Sequence, residues 1–169
     1  MLEEQQKLVD YWASLPVGLD GIPLKKYFQP SAIANILSNV YLVKAEGDFP
    51  VSLVGTELER YAGMVLSGIS LKAMSGPMFN LYEEKARAMF AGPVGSASVI
   101  LGHSLSGISY RVESLALPMR GADGEQFVVG HIGTPEKVED YSPDSGAVEL
   151  IRFEKTEMIA LPVSTKSAE

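Results

Sequence analysis

The chain has 169 residues, 46% hydrophobic and 21% charged, a composition that allows one domain with a buried core and some terminal extension. A formal net charge of −7 disfavours contact with nucleic-acid phosphates or an anionic membrane, and the lack of cysteine excludes disulfides, thiolate catalysis and sulfur-ligated zinc. No run approaches the ~18 apolar residues of a membrane span. The start, MLEEQQKLVDYW, lacks the apolar core of an export signal, so a cytoplasmic protein is expected.

Residues 2–15 predict an amphipathic helix. Leu8, Val9, Trp12 and Leu15 recur at three- and four-residue spacings among polar residues, Glu3 and Glu4 suit the N-terminus, and Pro16 with Gly18 ends the run. A connector follows, and Pro30 opens a short helix with Ile33, Ile36 and Leu37 on one side. Residues 40–44 and 49–53 predict two strands joined at Glu46-Gly47-Asp48, with Phe49, Val51 and Leu53 sharing a face. Gly55 breaks the second strand. Thr56 and Glu59 then read as a capping box for a helix that Gly63 closes.

Residues 64–76 read as loop, and a helix runs from about Pro77 to Ala91 with Phe79, Tyr82, Ala86 and Met89 on its core face. Three strands follow at 95–103, 108–117 and 125–133, the first two joined around Leu105 and the last two by a turn ending Asp123-Gly124. In the middle strand Ser109, Arg111 and Glu113 share a polar face that turns apolar at Leu115 and Leu117. The N-terminal helix is the natural cover for that patch. Beyond Thr134 the chain is acidic and turn-rich, 148–153 reads as a strand or short helix, and the end as frayed. The sum is an α+β fold, a five-stranded antiparallel sheet with helices on one face and an N-terminal flanking amphipathic helix.

Taken together, Tyr11-Trp12 with Leu15, Gln29-Pro30, the segment 53–56 (LVGT), Tyr61-Ala62-Gly63, Leu66-Ser67-Gly68 and the late strand 115–118 (LALP) resemble the PAS-type domain family of alphaproteobacterial, often single-domain, proteins. The resemblance covers residues 8–134. It departs at Gln29, where family members usually carry an acidic residue, and does not reach the tail. It divides the chain into a flanking helix and connector (1–30), a PAS-like domain (31–134) and an acidic extension (135–169), partly ordered or disordered.

What the resemblance implies is a non-enzymatic sensory or signalling module that binds a small molecule, a partner protein or both, and a homodimer formed through flanking helices. The expected ligand-binding residues are Tyr61, Met74, Tyr82, Met89, Tyr110 and His131, and the expected dimer or partner contacts are Leu8, Trp12 and Leu15. His103 and His131 are the only histidines, and either could ligate haem if its strand face looked into a cavity. Neither haem nor flavin is expected, no metal is, and the ligand is unknown. The serines around His103 lack the spacing of a catalytic triad. Two other readings remain, a ligand-free dimerisation scaffold and a small cone-shaped α+β enzyme of the isomerase kind.

Overall fold

The computed structural model describes residues 1–103, 109–138, 151–162 and 166, with the backbone alone at 103, 151 and 152. Helix α1 (Glu3–Ser14) leads through three short 3₁₀ turns to the hairpin β1 (Val40–Lys44) and β2 (Val51–Val54). Helices α2 (Thr56–Ala62), α3 (Leu71–Ser75) and α4 (Phe79–Ala91) follow, then strands β3 (Val94–His103), β4 (Ser109–Arg120), β5 (Gln126–Ile132), β6 (Glu136–Val138) and β7 (Ile151–Ala160). The sheet is antiparallel in the order β2-β1-β5-β4-β3-β7, and β6 pairs with the first part of β4.

The five expected strands are thus present in one sheet, and the tail adds two more. The segment from 151 is a strand, and Leu161 beyond it is buried in the core rather than frayed. Strand β7 shields the edge of β3 that the five-stranded plan leaves unpaired. The turn expected around Leu105, the side chain of His103 and residues 139–150 lie outside the described residues.

Two apolar layers sandwich the sheet. On one face Leu8, Val9 and Trp12 of α1 pack with Val40, Leu42, Leu115, Leu117, Met119 and Val129, and Ile33 and Ile36 of the 3₁₀ segment join them. Helix α1 therefore covers the patch at Leu115 and Leu117, as the reversal along β4 predicts. The Trp12 indole donates to the Pro118 carbonyl at 2.7 Å, giving the buried N–H its partner. On the other face α3 and α4 lay Leu71, Met74, Phe79, Tyr82, Ala86 and Met89 against Val43, Val51, Ala116 and Val128.

Three local expectations are corrected. Phe49 is not in a strand but in the preceding turn, with φ 55°. A bulge between Leu42 and Val43 then sends Val51 and Leu53 to opposite faces, since they oppose Val43 and Leu42 respectively. Residue Thr56 is the first helical residue rather than the cap, which is Gly55; the Glu59 carboxylate instead accepts from the backbone N–H of Leu66 at 2.9 Å. Finally, the segment read as loop contains α3, whose Ser70 hydroxyl caps the Ala73 N–H at 3.1 Å.

Candidate functional site

Of the six residues expected to bind ligand, three come together. Met74, Tyr82 and Met89 pack in the layer under α3 and α4. The others go elsewhere: Tyr61 lies half-buried beneath the Arg60 guanidinium, 4.7 Å from its ring centre, and Tyr110 stands near the start of β4, outside both apolar layers as described. His131 shares the α1 face of β5 with Phe127 and Val129, opposite the Tyr82 side. It therefore cannot present an imidazole to haem beneath α3 and α4.

The layer under α3 and α4 is filled where β1 meets β5. The Tyr41 ring lies across Gly130, its direct cross-strand partner, so closely that any β-carbon at 130 would overlap the phenol. The hydroxyl shares a hydrogen bond with Ser114, and burial pushes it up to about 12. Burial also raises Tyr82, with an added electrostatic effect of Tyr41. Phe49 and Phe79 meet edge to face, with centres 5.1 Å apart.

The expected interface residues Leu8, Trp12 and Leu15 are at most 6% exposed, all within the chain. Intrachain packing uses the stripe completely, so a contact between subunits through these three requires α1 to leave the sheet.

A cleft of about 350 Å³ opens on the α1 face, where the helix's first turn meets the sheet. It is lined by Glu4 from α1, Asn39, Arg111 and Glu113 from β4, His131 from β5, and Glu136 from β6. The polar half of β4 forms one wall of it, and the apolar half lies under α1. The Arg111 guanidinium forks onto Glu154 of β7 at 2.8 and 3.1 Å, so its charge is already answered. The Asn39 amide donates to the Ile132 carbonyl at 3.0 Å.

His131 is 2% exposed and its Nδ1 has no hydrogen-bond partner among the described residues. Burial holds its imidazole below the ordinary histidine range, partly offset by the Glu4 carboxylate. Sequence reading reached His131 but none of its neighbours in the cleft. The one available signal was the polar half of β4.

A family model described as PAS domain matches residues 2–132. The chain belongs to the PAS domain family. No curated protein matches it in sequence. Among solved structures it is similar to a light-oxygen-voltage domain studied with a flavin analogue, at 16% identity over 65% of this chain and 84% of that one, with a TM-score of 0.47. It is also similar to the light state of the Aureochrome1 LOV photoreceptor domain (16% identity, 65% and 88% covered, TM-score 0.44). A LOV protein of Rhodobacter sphaeroides is similar at 14% identity, with 72% and 73% covered and a TM-score of 0.45.

This PAS domain holds one more unusual group, Lys85 of α4. Its ammonium donates to the Ser98 hydroxyl at 2.7 Å and sits 4.2 Å above the Phe153 ring, with no carboxylate paired to it among the described residues. Burial pulls it down from 10.5 to about 8. The folded state thus holds this proton less tightly than the unfolded chain, so its contribution makes stability rise with pH between about 8 and 10.5. Below that window both states are charged and the penalty is constant. Replacing Lys85 with methionine is expected to stabilise the fold by about 1–2 kcal/mol at pH 7.5, a figure discounted for partial exposure. It should also flatten the rise, as read by urea unfolding at pH 7.5 and pH 10.

Proposed function

We propose that this PAS domain is a non-enzymatic sensory or signalling module in which α1 reports a binding event on the sheet. The observation that supports this reading is the division of one face of β4. Its apolar half is sealed by α1, and its polar half walls a cleft that the first turn of the same helix helps to close. A group bound there touches helix and sheet at once, so it has differential affinity for the docked and undocked positions of α1. That difference is what a population shift requires. The proposed setting is the bacterial cytoplasm, consistent with an acidic chain that carries no cysteine.

The test is a thermal-shift screen of small molecules, followed by hydrogen exchange on the stabilised complex. A ligand should raise the melting temperature and change exchange in α1 more than in β3 or β7. A bound ligand that leaves α1 exchange untouched would remove the signalling reading. The proposed homodimer is a separate question: if it forms through Leu8, Trp12 and Leu15, it must form at the expense of α1 docking, and Leu8→Glu should then abolish it.

A further inference from the structure

Strand β7 closes one side of the sheet, and its own outer edge meets no further strand among the described residues. Residues 153–160 make no backbone hydrogen bond there beyond those to β3. Every second residue of an edge strand turns its N–H and C=O outward, open to another strand. From Lys155 to Ala160 the chain has neither proline nor glycine, and the side chains from Glu154 to Met158 are exposed.

The charges on this strand are of both signs. Arg152 and Lys155 stand against Glu154 and Glu157, so the edge is neutral in a chain of net charge −7. Glu154 is tied to Arg111 of β4, and Lys155 and Glu157 pair with each other at 2.7 Å. An edge that alternates sign without net charge can match itself, and the register decides whether it does.

Two identical strands related by a two-fold axis pair antiparallel, and both members of a hydrogen-bonded pair must turn their backbone groups outward. Those groups alternate along the strand, so the axis passes through a residue and its copy, never between two residues. Within the exposed stretch 154–158, centres on Glu154, Lys155 or Glu157 set like charges face to face. A centre on Met158 sets Glu157 opposite Ile159 and gains no charge pair. A centre on Thr156 sets Lys155 opposite Glu157 of the second copy, and does so twice. The two threonines then meet on the α4 face, where Thr156 already shares a hydrogen bond with Ser98 at 3.2 Å, and the four charges lie on the other face.

We propose that β7 pairs antiparallel with β7 of a second copy, centred on Thr156, joining two sheets into one. The occupant is a second copy because the charge sequence complements itself in that register and in none of the other four. Strand β7 lies beyond residues 2–132, which match the family, so this edge belongs to the chain's own tail. The pairing leaves α1 docked and does not depend on the sensory reading. A bulge between Val99 and Ile100 displaces Glu154 and keeps the regular overlap short. The dimer is therefore weak and reversible, smaller than a standard interface.

The test uses the full chain, whose lack of cysteine makes a single introduced thiol unambiguous. Thr156→Cys places two thiols at the axis and should give a covalent dimer on mild oxidation, whereas Met158→Cys, opposite Glu154, should not. Sedimentation of the unaltered chain at high concentration should show a reversible dimer. Its dissociation constant should rise about tenfold in Lys155→Glu and in Glu157→Lys, and return in the variant carrying both. Amide shifts that depend on concentration should fall in β7 and spare α1.

A monomer at every concentration would overturn the pairing, as would cross-linking of Met158→Cys in preference to Thr156→Cys. So would single charge variants that dimerise as well as the unaltered chain, a double variant as weak as the single ones, or shifts that fall in α1.

Discussion

Replacing Trp12 with alanine should lower the unfolding free energy by about 4 kcal/mol, within the usual range for removing a buried aromatic. The side chain is 2% exposed and packs in the layer with Leu115, Leu117 and Met119. Truncation opens a cavity there and also strips the Pro118 carbonyl of its indole donor. Trp12→Phe separates the two contributions: it keeps most of the apolar contact and loses only the hydrogen bond, for about 1 kcal/mol. Urea unfolding followed by circular dichroism reads both. Because α1 is held to the sheet mainly through this stripe, the alanine variant should also show a smaller m-value, as expected if the helix is already undocked in the native state. A loss below about 1 kcal/mol would mean that α1 is not seated as described.

Gly55→Ala should cost more than about 3 kcal/mol, although glycine's backbone freedom is not needed there. Its φ of −67° and ψ of 149° suit any residue. The constraint is close approach. A β-carbon at this position would overlap the Ser38 carbonyl carbon and oxygen and the Leu37 carbonyl oxygen, all backbone atoms with no rotamer to escape into. The Gly55 N–H meanwhile donates to the Val40 carbonyl at 2.8 Å, pinning the end of β2 to the start of β1. Relief requires the hairpin and the 3₁₀ turn before it to separate, and α2 packs on that turn. For a chain of this size the loss corresponds to a melting temperature lower by about 10 °C. An unchanged melting temperature would show that the junction is looser than this geometry.

The same residues mark how far the sequence could be read. Alternation along β4 disclosed both the strand and the need for a cover over Leu115 and Leu117, because a face that changes polarity midway must change neighbours midway. The amphipathic stripe of α1 was the natural cover, but the same stripe fitted a second subunit equally well, and its burial against the sheet decides for the intrachain contact. Alternation failed at β2, where one bulged residue near Ser52 reverses the faces and leaves no mark in the pattern of apolar residues. Helix α3 was missed because five residues are too few to show a period, although Ser70 was a legible cap.

The cleft was not legible as a site. Its lining comes from α1, from the 3₁₀ turn at Asn39 and from strands β3 to β6, so that Glu4 and Glu113, each unremarkable on its own element, meet only through the sheet. His131 could be placed on a face with Phe127 and Val129, but which layer that face meets depends on where α1 lies. The Lys85 ammonium gave no sequence signal either, since the nearer of the two rings it lies over, Phe153, comes from β7, in the tail beyond the family match.

Whether α1 can act as a reporter is tested most directly by native-state hydrogen exchange at increasing urea, comparing amides of α1 from Leu8 to Ser14 with those of β4 from Leu115 to Met119. A helix that reports on the sheet must open without unfolding it. The account predicts that the α1 amides exchange through a local opening of lower free energy and weaker urea dependence than β4, with the two sets merging only near the unfolding transition. Identical free energies and urea slopes in both segments from zero denaturant would contradict it, because α1 would then be an inseparable part of the core.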